Sequence, residues 1–206
     1  MKRIVAIMAG IILALSTAAA QNATLDKIEK ANAGLEKVKC SFSRTRTLPA
    51  TGKVIKHDGV LYFVSPDKLS MQYDTDKESL IIDGKTLYMK RLGKGSTFDT
   101  DKNALMRSLR NMLLNCIRGK VRQVAEDNNA DVSVKEVADY WHVTLKAKGN
   151  AAAGFSRISL SYRKKDGYMV RMETVEFSGV SEVYTMSDDY DAKAVAGPEI
   201  FKIPKR

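Results

Sequence analysis

A stretch of alternating apolar residues between Gly59 and Lys90 constrains the fold more than any other part of the sequence. Alternation with period two places one set of side chains on each face of a β-strand. Asp83-Gly84 stands between two apolar runs, which is a strong hairpin signal. The stretch therefore predicts a four-stranded antiparallel meander with one apolar face, formed by Gly59, Leu61, Phe63, Leu69, Met71 and Tyr73.

The first twenty residues have the pattern of an export signal. Lys2 and Arg3 precede an apolar run over residues 4–15, and Ala18-Ala19-Ala20 forms a small-residue cleavage site. We expect residues 1–20 to be a cleaved signal peptide and residues 21–206 to form one domain. Cys40 lies far downstream of the apolar run, so we expect a soluble exported protein without a lipid anchor. Bacterial periplasm is the expected location, and a eukaryotic secretory route is the alternative.

Charge and residue types narrow the function classes. The formal net charge of the whole chain is +10, and loss of Lys2 and Arg3 lowers it to +8, which favours anionic surfaces. We expect no nucleic-acid binding because the exported chain carries no recognised binding motif. His57 and His142 are the only histidines, so neither a metal site nor a catalytic constellation is expected. The chain is predicted to be neither an enzyme nor a cofactor-binding protein.

Helical periodicity occurs in two segments. Residues 24–37 are predicted to form an amphipathic helix with Thr24 as its N-cap, and residues 102–118 a second helix capped by Asp101. Residues 91–101 are predicted to be a polar loop. From about residue 131 onward, short alternating segments and the Asp166-Gly167 turn predict strands only.

The order of several motifs resembles the outer-membrane lipoprotein carrier family, LolA. The motif G-x-L-x-F-x-x-P-D-K-L-x-M-x-Y begins at Gly59, and L-I-I-D-G-K-T-L-Y follows it. Residues 38–44 resemble the first strand of the family, with Arg44 where a glutamine is usual. Residues 200–204 resemble the terminal Phe-x-Phe-x-Pro element.

The resemblance implies both a fold and a function. The fold is mainly β (α+β): an incomplete antiparallel barrel of roughly ten to eleven strands, with helices over its apolar concave side. The implied function is a periplasmic carrier that shields the acyl chains of lipoproteins between the inner and outer membranes. An inner-membrane ABC transporter and an outer-membrane acceptor are the implied partners, and a monomer is expected. The alternative is a carrier or sensor of free lipid or fatty acid with the same fold.

Three sets of site residues follow. Strand parity and the stripe of the second helix predict a cavity lined by Phe42, Leu61, Phe63, Leu69, Met71, Tyr73, Leu109, Met112 and Leu113. Many family members have an arginine before the proline of the central turn that holds the helices closed, but this chain has Ser65 there. Arg44 or Arg46 could hold the helices instead, or both could be solvated. Cys40 and Cys116 could form a disulfide or remain buried free thiols.

Overall fold

The computed structural model describes residues 19–149, 154–191, 193 and 197–204. Most of the predicted signal peptide, residues 1–18, lies outside the described residues, so its cleavage stays a prediction. Most of the loop expected at 149–154 also lies outside them. The described helices are α1 (residues 19–32), α2 (Ala104–Ile117) and α3 (Val121–Asp127), with a 3₁₀ turn at Pro198–Phe201.

The described residues contain eleven strands, all in one antiparallel sheet that does not close into a barrel. This confirms the predicted mainly β half-barrel. The strands are β1 Lys37–Leu48, β2 Lys53–Val64, β3 Lys68–Tyr73, β4 Ser79–Asp83, β5 Thr86–Arg91, β6 Lys94–Asp99, β7 Ala130–Val137, β8 Tyr140–Ala147, β9 Phe155–Arg163, β10 Met169–Glu176 and β11 Ser181–Met186.

The spatial order of the strands is β6-β5-β4-β3-β2-β1-β11-β10-β9-β8-β7. Two meanders, β1 to β6 and β7 to β11, join through the pairing of β1 with β11, in which Phe42 lies opposite Met186. β6 and β7 are the two edges of the sheet, and α2 and α3 connect them in sequence. This connection brings α2 across the concave side, where the core lies.

Gly59 allows the closest approach in this sheet. A Cβ atom at this position would lie 2.3 Å from the carbonyl oxygen of Gln72 and 2.7 Å from Cζ of Phe42. The Phe42 ring therefore packs directly over the glycine, with its centroid 5.2 Å from that of Tyr73 in an edge-to-face arrangement. The glycine that begins the sequence motif is required by the packing on the concave face.

The helices differ from their predicted bounds. α1 ends at residue 32 and β1 already begins at Lys37, so the prediction of a helix through residue 37 was wrong at that end. Thr24 is inside α1 and does not cap it; its hydroxyl donates to the carbonyl oxygen of Ala20 and to Glu136. Asn103, not Asp101, caps α2 by accepting a hydrogen bond from the amide of Met106.

Two elements were not predicted. Residues 91–101 do not form a loop, because Leu92 and Gly93 both adopt positive φ and turn β5 into β6. A two-residue turn of this kind usually carries asparagine or aspartate before the glycine, so leucine concealed it. The second missed element, α3, has only seven residues, which is too short for a helical period to be recognised.

Candidate functional site

A cavity of about 330 Å³ lies between α2 and the concave face of the sheet. Its wall comes from β3 to β5 on one side, from β9 to β11 and the residues that follow β10 on the other, and from one face of α2. The apolar part of the wall consists of Met71, Leu80, Met89, Leu105, Met106, Leu109, Met112, Leu113, Phe155, Met172 and Phe177. The polar part consists of Arg91, Ser108, Thr174, Glu176, Ser178, Glu182 and Tyr184.

Methionine is over-represented on this wall. Five of the nine methionines of the chain contribute to it. Methionine side chains are unbranched and polarisable, so they adapt to apolar groups of different shape. The wall therefore suits a flexible apolar ligand better than a rigid one.

Hydrogen bonds fix α2 above the sheet at two places. Arg110 Nε donates to the carbonyl oxygen of Gly84 in the β4–β5 turn over 2.6 Å. At the other end, the buried Tyr162 hydroxyl donates to the carbonyl oxygen of Cys116 over 2.7 Å. This second bond satisfies one of the carbonyl groups that a helix leaves unpaired at its C-terminus. The helix is thus attached to both meanders.

A cluster of charged and phenolic side chains lies next to the cavity. Glu182 Oε2 accepts a hydrogen bond from the Tyr184 hydroxyl over 2.8 Å, and Glu182 Oε1 lies 3.4 Å from Arg46 Nε. Arg91 Nη2 is 3.9 Å from the same Oε1. Burial raises the pKa of the Tyr184 hydroxyl well above its usual value, so it remains a hydrogen-bond donor at neutral pH.

The structure separates the residues predicted to line a cavity into two groups. Met71, Leu109, Met112 and Leu113 are on the wall. The remaining predicted residues are off the wall: Phe42, Leu61, Phe63 and Leu69 are buried in the core, and Tyr73 packs against Phe42.

Sequence reasoning missed the part of the wall that comes from the C-terminal meander. Met172 and Tyr184 lie opposite each other in the register of β10 and β11. Alternation showed that these strands have two faces, but only the long-range pairing of β1 with β11 decides which face is concave. Leu80 and Met89 carried a local signal, since they lie in register with Met71.

Arg44 and Arg46 have partners other than the helices. Arg44 Nη2 lies 2.6 Å from Glu78 Oε2, and its guanidinium lies 4.7 Å from the centre of the Tyr73 ring. Arg44 pairs with His57 in the sheet, whereas Ser65 follows Val64 at the opposite end of β2. Arg44 therefore cannot occupy the space of an arginine at position 65. The arginine that does bond a helix to the sheet is Arg110, from the helix side.

Cys40 and Cys116 are free and buried, so the disulfide considered from the sequence is not formed. They have different surroundings: Cys40 lies beside Tyr190, whereas Cys116 belongs to α2 near Tyr162. Burial raises the pKa of each thiol to about 12. Both cysteines behave as small apolar residues at neutral pH.

Comparison with solved structures shows the same fold elsewhere. An uncharacterised conserved protein from Thermus thermophilus is 10% identical and superposes with a TM-score of 0.53 over 90% of this chain and 95% of that chain. A LolA superfamily protein from Nitrosomonas europaea is 9% identical, with a TM-score of 0.43 over 89% and 97% of the two chains. A putative outer membrane lipoprotein-sorting protein domain from Vibrio parahaemolyticus is 7% identical, with a TM-score of 0.43 over 86% and 95%.

Comparison at the level of sequence gives two results. No curated protein matches the chain. Within the described residues, no helix is both long and apolar enough to cross a membrane. The model of the family described as "Outer membrane lipoprotein carrier protein LolA" matches residues 33–204, which include all eleven strands described above as well as α2 and α3. The chain therefore belongs to the LolA family, which is a family of carriers.

Proposed function

We propose that this protein is a periplasmic carrier that shields the acyl chains of lipoproteins and moves them from the inner to the outer membrane. The observation that carries this proposal is the methionine-rich cavity between α2 and the concave face of the sheet. Burying an acyl chain is worth about 0.8 kcal/mol per methylene, so a lipidated protein can cross water only if its chains are covered. Membership of the carrier family supports the same use of the cavity.

The size of the cavity sets a condition on this function. At about 330 Å³, it is at the small end of the range of about 300–1,000 Å³ that small-molecule sites occupy. A lipoprotein anchor with several acyl chains needs more room than this. Loading would therefore require α2 to move away from the sheet, with loss of the Arg110 hydrogen bond to Gly84.

The remaining parts of the proposal concern location and partners. We place the protein in the periplasm because of the predicted signal peptide, and we propose that it acts as a monomeric single domain. An inner-membrane lipoprotein-releasing ABC transporter would load it, and an outer-membrane acceptor would receive the cargo. No cofactor is part of this proposal.

A second candidate is a carrier of free lipid or fatty acid. The cavity volume favours this candidate because it suits one chain without movement of α2. Lipids that co-purify with residues 21–206 under gentle conditions, identified by mass spectrometry, distinguish the two. Acylated protein or peptide supports the first candidate, and free fatty acid or phospholipid supports the second.

A binding measurement tests whether this cavity is the site in either case. Leu109→Glu places a charge on the apolar wall and should abolish uptake of a fluorescent acyl probe. Ala104→Glu is the matched control, because it adds the same charge to an exposed position of the same helix. A folded Leu109→Glu variant that takes up the probe like the control would overturn the proposed function.

A further inference from the structure

The concave face changes from apolar to polar along the strands of the β1–β11 junction. Phe42 faces Met186 in the register of these strands, Arg44 faces Tyr184, and Arg46 faces Glu182. The cavity wall reaches the two polar rows through Tyr184 and Glu182. The wall therefore has an apolar part for a chain and one polar end.

The charges at this polar end do not favour an anion. The cavity wall carries one cationic side chain, Arg91, and two carboxylates, Glu176 and Glu182. Arg91 is half exposed, and its guanidinium lies 3.9 Å from Glu182. Arg46 compensates Glu182 from behind the wall over 3.4 Å. A ligand carboxylate here would lose its hydration and meet two carboxylates, which is unfavourable unless a cation is free to pair with it.

Hydrogen-bonding capacity at the same place is only partly used. Glu182 Oε2 accepts from Tyr184, but the buried Oε1 accepts no hydrogen bond among the described residues. Leaving a buried acceptor unpaired is costly, so a ligand group that donates to it gains more than an ordinary hydrogen bond. A carboxylate has no proton to donate, whereas an amide N–H or a hydroxyl does.

We propose that the polar end of the cavity is a head-group site that selects neutral, hydrogen-bond-donating heads, amides or hydroxyls, over carboxylates. This inference rests on the proposed function, since it assigns the class of acyl ligand that the same cavity takes. The head donates to Glu182 Oε1, and the chain lies on the methionine-rich part of the wall. An acyl chain joined to a protein through an amide meets this requirement, and a free fatty acid does not.

The test compares ligands that share a chain and differ in the head. Dodecanamide, dodecanol and dodecanoate compete with a fluorescent acyl probe for residues 21–206 at pH 7.5. We expect the amide and the alcohol to bind at least about tenfold more tightly than the carboxylate. Binding of dodecanoate as tight as that of dodecanamide would overturn the head-group site and leave the proposed carrier function intact. If none of the three competes, the proposed function itself fails.

Variants locate the effect. Glu182→Gln removes the charge, and we expect dodecanoate to bind several-fold more tightly while dodecanamide changes less. Glu176→Gln should shift the preference in the same direction, and it provides the test if Glu182→Gln does not fold. Glu173→Gln is the matched control, because Glu173 is off the cavity wall and pairs with Arg157 and Arg171. An unchanged preference in folded Glu182→Gln and Glu176→Gln would refute the assignment.

Discussion

Arg44 and Glu78 form an ion pair, with Nη2 and Oε2 2.6 Å apart and only 3% and 11% of their side chains exposed. Arg44 is in the middle of β1, and Glu78 precedes β4. The pair therefore attaches the connection between β3 and β4 to the centre of the sheet. Removing one partner of a buried pair leaves the other charge uncompensated, which is more costly than loss of an exposed pair.

Arg44→Leu should lower the free energy of unfolding by about 3–5 kcal/mol, measured by urea denaturation. Hydrogen exchange should become faster in residues 74–80, where the partner lies, and not in α2. Arg157→Leu is the control: its partner Glu173 is 2.7 Å away, but Arg157 is half exposed, so we expect a loss below about 1 kcal/mol. Faster exchange in α2 alone would restore the idea that Arg44 holds the helix.

Arg110→Leu should loosen α2, because it removes the 2.6 Å hydrogen bond to the β4–β5 turn. We expect faster hydrogen exchange in Ala104–Ile117 and faster entry of an acyl probe, measured by stopped-flow fluorescence. Arg118→Leu removes an arginine from the other end of the helix and serves as the control. Equal exchange and entry rates in both variants would show that α2 is held by apolar contact alone.

Tyr162→Phe should destabilise the protein by about 1–3 kcal/mol, because the carbonyl group of Cys116 loses its buried donor. Thermal and urea unfolding measure this loss. Tyr140→Phe removes a hydroxyl from a tyrosine that is 36% exposed, and its effect should lie within about 0.5 kcal/mol. Similar values for the two variants would mean that the bond to α2 contributes nothing.

Gly59→Ala should lower the free energy of unfolding by about 1–3 kcal/mol through overpacking. The added Cβ would meet the backbone oxygen of Gln72, which cannot move without disturbing the pairing of β2 with β3. Gly34→Ala is the control, since no atom lies within 4 Å of its ideal Cβ position. A Gly59→Ala variant as stable as wild type would show that the sheet yields at this point.

Both cysteines should resist alkylation by iodoacetamide in the folded protein at pH 8, because burial raises the pKa of each thiol to about 12. The folded pKa values are above the unfolded value, so the folded state binds more protons in this range. Stability should therefore fall as the pH rises from about 9 to 12. Cys116→Ala should reduce this slope. Rapid labelling of the native protein at pH 8 would contradict the buried environment.

Local patterns predicted the N-terminal meander closely. β2 has the predicted bounds, and the Asp83-Gly84 turn lies between β4 and β5. These features depend on neighbours in sequence, where period-two alternation and turn chemistry decide the structure. The same reasoning identified the apolar stripe of α2 that faces the cavity.

The complete cavity wall could not be predicted in this way. Leu69 and Met71 share a face of β3, yet Met71 reaches the cavity and Leu69 is enclosed in the core. Position along the strand separates them, and this depends on where α2 crosses the sheet. Likewise, Glu78 as the partner of Arg44 follows from the spatial order of strands, which alternation does not encode.

The connection of both sheet edges through α2 and α3 makes the curvature of the sheet a gauge of occupancy. If α2 rises to admit a larger ligand, the segment that joins β6 to β7 carries the strain to both edges. Spin labels at Ser96 and Ser133, one on each edge strand, would then report filling of the cavity as a change in their separation. A partner that grips the two edge strands could in this way empty the carrier without touching its ligand.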